Sequence, residues 1–402
     1  MILGEDRNFC DYNAPMLLTD FNYDLPEGHI AQEQAVPRDS ARLMLVNRSS
    51  GEISHHHVFD LPTLLPKDYF IVANNTKVFP ARLLGHKPTG GKVEILLTQP
   101  LGHSSYLCIA RPGLKVGDVI SFGSLLDRRP GEQPSRDAEG GRRLPEGLTG
   151  VITQVDDMER IIHFDQNEAD LRTTLSTIGT MPTPPYIKKL LGNSKDYQTI
   201  YAKYGFSAAA PTAGLHFTEE LLKQIKHDYS WNELTLNVGL GTFLPVKEND
   251  IQDHHMHAES YTISPTTAEA INLQRSVLCK KLLSIGTTTM RALESNAALT
   301  PSSDLRAVES VAKDRSELLR PGSFSTDIFI YPPYQFRVTD ALMTNFHLPG
   351  STLLMLVSAF CSYPNSNEKF TSFSDSLLGR AYAIAIKEKY RFFSFGDAML
   401  II

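Results

Sequence analysis

The sequence predicts an α/β fold: a mixed, largely parallel sheet with flanking helices, interrupted by an inserted small β-barrel domain. Three observations predict it. Between residues 81 and 165 short apolar runs recur about ten residues apart, divided by turns rich in Gly and Pro, with no helical period among them. After Pro182 the pattern becomes strand, glycine-bearing turn and helix, as a sheet covered by helices requires. The bulk is adequate too: 402 residues, 42% of them apolar, supply a sizeable core, and roughly 150 residues per domain makes two or three domains.

Residues 1–20 read as an appended arm. It carries Glu5, Asp6 and Asp11 and no basic run before an apolar core, so it lacks the form of a secretion signal. Residues 42–47 read as a strand, Ser49-Ser50-Gly51-Glu52 as a turn and 53–58 as the hairpin partner. Residues 68–73 are a continuous apolar strand that ends in Asn74-Asn75-Thr76. The barrel strands are 81–85, 92–97, 105–110, 118–120, 151–155 and 160–164. Residues 125–149 interrupt them with Gly, Pro and balanced charge, the composition of a flexible loop lengthening one barrel hairpin. Three strand-and-turn segments follow. Residues 233–238 lead into Gly239-Leu240-Gly241-Thr242; 281–286 lead into Thr287-Thr288-Thr289 and a helix over 290–298; 340–345 lead into His347-Leu348-Pro349-Gly350 and a helix over 351–360. The domains are then an N-terminal arm over 1–20, a discontinuous α/β catalytic domain over 21–80 and 166–402, and the inserted barrel over 81–165.

Net charge is −6, so contact with a nucleic acid requires a local basic patch. Cys10, Cys108, Cys279 and Cys361 lie far apart with no Cys-x-x-Cys pair, the pattern of reduced thiols in a cytoplasmic protein rather than of a disulfide framework or zinc knuckle. The densest apolar run, residues 353–361, is nine residues long, about half of a bilayer crossing. A monomer is the default.

Four turn segments concentrate candidate chemistry. In the first, small residues over 208–214 let a ligand approach the backbone, and Thr218 is a natural N-cap for the helix that follows. His216 stands just before that helix, where it could titrate near neutrality or donate to a leaving group; the same residues also read as a tight turn that His216 caps. In the second, Gly239-Leu240-Gly241 lacks the third glycine of a dinucleotide fingerprint, and Pro245 comes too soon for a helix. In the third, Gly286-Thr287-Thr288-Thr289 places hydroxyls and free amides at a helix N-terminus suited to a carboxylate or phosphate. Arg291 and Glu294 follow three residues apart, as an ordinary pair on one helix face. The fourth joins Thr326-Asp327 to Thr344-Asn345-Phe346-His347, with Asn345 and His347 either at a site or holding the turn after an apolar strand.

Between Met181 and Lys226 six lysines stand against three acids, with Tyr186, Tyr197, Tyr201 and Tyr204 interleaved. Lysine meets phosphate and tyrosine stacks on an unpaired base, so Lys188, Lys189, Tyr186 and Tyr201 are candidates for binding RNA; a solvated helix with tyrosines packed on one side has the same composition. His254-His255-Met256-His257 with Glu259, and His55-His56-His57, match no tetrahedral template, so no metal is expected. There is no Gly-x-Ser-x-Gly elbow and no Walker loop.

Together the motifs resemble one family, the S-adenosylmethionine:tRNA ribosyltransferase-isomerases of queuosine biosynthesis. The resemblance is carried by Tyr23-Asp24-Leu25-Pro26, Asn75-Thr76-Lys77-Val78-Phe79-Pro80-Ala81-Arg82-Leu83 and Gly90-Gly91-Lys92-Val93-Glu94. Met181-Pro182-Thr183-Pro184-Pro185-Tyr186-Ile187, Tyr197-Gln198-Thr199-Ile200-Tyr201-Ala202 and stretches from 209–220 to 390–401 continue it. It covers 21–402, broken at 125–149 and 362–376.

The resemblance implies that S-adenosylmethionine is a co-substrate whose ribosyl moiety, not its methyl group, is transferred and isomerised. The acceptor is 7-aminomethyl-7-deazaguanine at the wobble position of a tRNA; epoxyqueuosine-tRNA forms, and adenine and methionine leave. The sulfonium acidifies the ribose C5′ proton, so a base beside it could start the rearrangement. Motif position makes His216 the candidate acid/base, with Asp327 and His347 in the catalytic set and, with Asn345, where ribose or adenine would be held. Gly214, Thr287, Thr288, Thr289 and Asn345 are the cofactor-binding candidates, and Arg291 would hold the methionine carboxylate. Two positions depart from the family's usual Asn-Asp-Thr-Arg: this chain has Asn74-Asn75-Thr76-Lys77, which removes a charge and a planar fork. A methyltransferase using the same cofactor and a tRNA-binding module without activity are the competing readings.

Overall fold

The computed structural model describes residues 15–123, 147–189, 191, 193–239, 246–299 and 318–402. Residues 125–146 of the expected loop and most of the expected arm therefore lie outside the described residues, as do Leu240 to Pro245, while Leu148 and Thr149, expected at the end of that loop, belong to a barrel strand. The chain first builds a hairpin, β1 (Arg42–Val46) and β2 (Ile53–His57), then a short helix α1 (Leu61–Leu64) and the buried strand β3 (Tyr69–Asn74). After β4 (Thr76–Val78) come six strands in succession: β5 (Arg82–His86), β6 (Lys92–Gly102), β7 (Ser105–Arg111), β8 (Val119–Phe122), β9 (Leu148–Asp156) and β10 (Glu159–Phe164). These close into a barrel in the order β10-β7-β6-β5-β8-β9, every neighbour antiparallel.

Alternation along the barrel strands sends Val93, Ile95 and Leu97 of β6 and Tyr106 and Cys108 of β7 inward, where they meet Phe122, Ile162 and Phe164. Helix α2 (Glu168–Ile178), capped by the Asn167 side chain on the Asp170 amide, closes this core with Leu171 and Leu175. The chain leaves the barrel beside the point where it enters. Arg82 and Thr180 exchange backbone hydrogen bonds of 3.2 and 2.9 Å, and Gly179 packs against the Pro80 carbonyl so closely that a Cβ would collide with it.

The rest of the chain returns to the first sheet. β11 (Tyr204–Ser207) pairs with β4; α3 (Glu219–Asp228), β12 (Trp231–Leu236), β13 (Glu259–Ile263) and α4 (Pro265–Ser276) follow. Then come β14 (Lys281–Ile285), α5 (Thr287–Ala298), β15 (Gly322–Thr326), β16 (Ala341–Asn345), α6 (Thr352–Phe360), α7 (Leu377–Lys387) and β17 (Ala398–Ile401). Nine strands form the large sheet in the order β15-β13-β12-β3-β14-β16-β17-β1-β2. The centre, β12-β3-β14-β16, is parallel, and so is β17 with β1; the pairs β15-β13-β12, β16-β17 and β1-β2 are antiparallel. β3 and β16 are buried at every residue, as strands covered on both faces must be, whereas β15 at the edge alternates.

The fold is thus the mixed α/β sheet with an antiparallel barrel that the sequence predicts. Strands β13, β15 and β17 have no counterpart among the elements expected from sequence. No described helix is long and apolar enough to cross a membrane.

Candidate functional site

In an open sheet of this kind ligands sit beyond the C-terminal ends of the parallel strands. There β14 and β16 end at Ile285 and Asn345, and a pocket opens between them. Five segments line most of it: Pro185 and Tyr186 with Tyr197; residues 209–213; Gly286 to Thr288; residues 344–348; and Phe393 with Ser394. Gly286 has φ +88°, a left-handed conformation that lets β14 turn directly into α5. The threonines after it divide by role. Thr287 and Thr288 line the pocket, and Thr288 Oγ1 accepts from Asn74 Nδ2 at 3.2 Å. Thr289 is fully buried and donates to the Ile285 carbonyl at 2.6 Å, so it secures the helix start instead.

Asn345 is 2% exposed and donates from Nδ2 to His216 Nε2 (3.1 Å) and to the Phe393 carbonyl (3.2 Å); its Oδ1 is buried without a hydrogen-bond partner among the described residues. His216 lies on the 3-10 turn Thr212–His216, behind Asn345 and outside the pocket lining. Burial holds its pKa down at about 4. His347 does line the pocket. Its Nε2 meets Thr344 Oγ1 at 2.8 Å, its amide donates to Tyr382 Oη at 2.8 Å, and burial lowers its pKa to about 3. Across the pocket, Tyr186 Oη and Ser394 Oγ share a hydrogen bond of 2.8 Å, and burial pushes the phenol up to about 12. Tyr197, also in the lining, is fully buried with its hydroxyl beside Ser394 and Ala210.

Several residues singled out from sequence stand elsewhere. Arg291 is 3% exposed and turned away from the pocket; its Nη1 pairs with the Glu259 carboxylate of β13, which also accepts the Gly239 amide at 2.9 Å. The expected Arg291–Glu294 pair does not form, because Glu294 accepts the amides of Arg337, Val338 and Thr339 at 2.8 to 3.1 Å. Gly214 is required by Tyr201, whose hydroxyl a Cβ there would strike, and does not line the pocket. Tyr201 is 4% exposed and packed edge-on between Phe217 and Trp231, so it has no face for a base. Asp327 is exposed at the end of β15 and does not line the pocket. Lys188 and Lys189 are exposed just past Tyr186, with Lys189 paired to Glu33. Asn74, Tyr197, Phe393 and Ser394 were missed as site residues. The aromatic run ahead of the last strand was the one signal for Phe393 and Ser394, since φ +68° at Phe393 is visible only in three dimensions.

Asn75 faces a different groove. Its Nδ2 donates to Glu233 at 3.2 Å and its Oδ1 accepts from Thr235 at 2.6 Å, while Lys203 and the Trp231 indole also hold Glu233 at 2.6 and 2.9 Å. Lys77 is exposed. An Asn75→Asp variant would set a second carboxylate against Glu233 and hold one proton above the ordinary carboxylate range. Folding then favours the protonated pair, so the variant is expected to lose about 1 kcal/mol relative to the parent as pH rises from about 5 to about 8. Urea midpoints at the two pH values measure this; equal pH dependence in both proteins would refute it. Among the described residues, no group of three or more His, Cys, Asp or Glu is placed to hold a metal ion. His254 instead pairs with Glu248 at 2.9 Å, and His55 with Tyr390 Oη at 2.8 Å.

Fold and pocket define the class: an α/β protein with an inserted barrel and a small-molecule pocket at the C-terminal ends of its parallel strands. The chain belongs to the queuosine biosynthesis protein family, whose model matches residues 18–401. It is 42% identical over 397 residues to a protein of Natranaerobius thermophilus, covering 96% of this chain and 99% of that one. It is 43% identical over 392 residues to one of Symbiobacterium thermophilum, covering 96% and 100%. Both relatives are named S-adenosylmethionine:tRNA ribosyltransferase-isomerase. A solved S-adenosylmethionine tRNA ribosyltransferase from Thermotoga maritima matches at 30% identity and a TM-score of 0.47, over 95% of this chain and 100% of that chain.

Proposed function

We propose that this protein is an S-adenosylmethionine:tRNA ribosyltransferase-isomerase. It transfers and isomerises the ribosyl moiety of S-adenosylmethionine onto 7-aminomethyl-7-deazaguanine at the tRNA wobble position, giving epoxyqueuosine-tRNA and releasing adenine and methionine. The observation that carries this is the family match over residues 18–401, together with full-length relatives of that name at 42 and 43% identity. The pocket supports it. A nucleoside joined to an amino acid offers an aromatic base, hydroxyls and amines. The lining offers Tyr186, Phe346 and Phe393 as rings, the hydroxyls of Thr287, Thr288 and Ser394, and the Asn345 carbonyl, whose Oδ1 has no hydrogen-bond partner among the described residues. The sulfonium of the bound co-substrate would supply the acidity of the ribose C5′ proton.

In this reading the discontinuous sheet domain, 21–80 and 166–402, carries catalysis. Lys188 and Lys189, exposed next to Tyr186 of the lining, meet tRNA phosphates at the pocket's rim. The enzyme works in the cytoplasm, where its tRNA is. Mass analysis of a reaction holding protein, S-adenosylmethionine and tRNA bearing the aminomethyl-deazaguanine tests the reading. The expected result is free adenine and methionine with a ribose-derived mass gain on the nucleoside. S-adenosylhomocysteine as product would replace the reading with methyl transfer. A bound but unmodified tRNA would replace it with a binding module.

A further inference from the structure

The orientation of the Asn345 amide is decided by chemistry rather than by shape. The Phe393 carbonyl oxygen can only accept a hydrogen bond, so the amide group facing it must be Nδ2. Turned over, the side chain would set two carbonyl oxygens against each other. Both amide N–H bonds are therefore used inside the protein, one on Phe393 and one on His216 Nε2. It follows that His216 Nε2 is an acceptor and that its ring proton is on Nδ1. Oδ1, on a residue that lines the pocket, is left buried with no donor among the described residues, which costs free energy until a ligand supplies one.

We infer that Asn345 Oδ1 accepts a hydrogen bond from the nucleoside portion of the co-substrate, and that His216 is a positioning residue that holds the amide in this sense. The inference rests on the proposed function, since it names what two residues do for that ligand. His216 is 5% exposed and outside the pocket lining, and its hydrogen bond with Asn345 joins it to a residue of that lining. Burial is the main cause keeping the ring neutral; Asp397 opposes it, and Arg391 and Arg38 add to it. Neutrality leaves Nε2 with the lone pair that the amide needs. Phe393 has φ +68°, an uncommon conformation for a large side chain, at the residue whose carbonyl takes the second amide N–H. The donor on the ligand is the adenine amine or a ribose hydroxyl.

Three variants, one spectrum and a set of ligand analogues test this. In His216→Gln the side-chain carbonyl reaches the position of Nε2 and remains an acceptor, so S-adenosylmethionine affinity and turnover should stay within about threefold of the parent. His216→Phe removes the acceptor and should weaken S-adenosylmethionine binding about tenfold by calorimetry. A His216→Gln protein that binds normally but turns over about a hundredfold more slowly would make His216 the acid/base and overturn the inference. Unweakened binding by His216→Phe would overturn it too. Should either variant fail to fold, nitrogen NMR of the parent gives the answer: Nε2 should stay unprotonated from about pH 8 to about pH 5, and a ring titrating in that range is the contrary result. Analogues lacking the adenine amine or one ribose hydroxyl identify the donor. The correct one weakens the parent about tenfold and Asn345→Ala no further; equal losses in both proteins for every analogue would remove Asn345 from the contact. If the parent itself does not bind S-adenosylmethionine, the proposed function fails first, and the inference with it.

Discussion

Lowering the pH from 7 to 5 is expected to remove about 4 kcal/mol of folding stability through His216 and His347 alone. Burial lowers their pKa values to about 4 and about 3, against about 6.5 in the unfolded chain. A lowered histidine pKa means that the unfolded state binds more protons than the folded one below pH 6.5 or so. Stability then falls as pH falls through the interval between the two values, at up to about 1.4 kcal/mol per pH unit for each ring. By pH 5 each histidine has given up about 2 kcal/mol, and the loss continues until the folded-state values are reached. Urea unfolding of the parent and of His216→Gln at both pH values isolates one ring. The parent should lose about 2 kcal/mol more than the variant, which cannot take up that proton. Identical losses in the two proteins would mean that His216 is already charged or solvated in the folded state.

The second large effect is at Arg291, where Arg291→Met should cost about 3–5 kcal/mol by removing the counter-charge of a carboxylate that is itself buried. Arg291 and Glu259 are 3% and 4% exposed, so solvent screens their pairing little. Adding Glu259→Gln to the first change should recover part of the loss, because the amide oxygen can still accept the Gly239 N–H while the charge is gone. Denaturant midpoints of the two single variants and the double variant measure both effects; a single variant as stable as the parent would show that the pair is dispensable. The same variant distinguishes this structural role from the carboxylate-binding role expected from sequence, under which the loss would fall on cofactor affinity rather than on stability.

Arg291 also shows where sequence reading stops. A helix start with three threonines and an arginine is legible as an anion site, and Thr287 and Thr288 do line the pocket. The direction of the arginine is not legible, because its partner Glu259 is 32 residues away in a strand that acquires its place only when β13 pairs with β12 and β15. Tyr201 failed for the same reason. Its lysine-rich surroundings in the sequence suggested an exposed ring, yet Phe217 and Trp231 enclose it. Asn345 was identified from its position at a strand end, and β16 does end there. That its carbonyl is unpartnered depends on Phe393, 48 residues on.

By itself the sequence determined the features that depend on local period and local chemistry. Alternation without helical spacing marked the barrel strands, apolar strands running into glycine-bearing turns marked the α/β sheet, and ordered motif strings marked the family, because each is written within one segment of chain. The tertiary structure alone decided strand order, the placement of β17 antiparallel to β16 and parallel to β1, and which polar groups face the pocket. Those outcomes depend on which distant groups satisfy one another once water is excluded. A buried donor or charge takes the partner that packing brings within reach, and sequence separation does not record that distance.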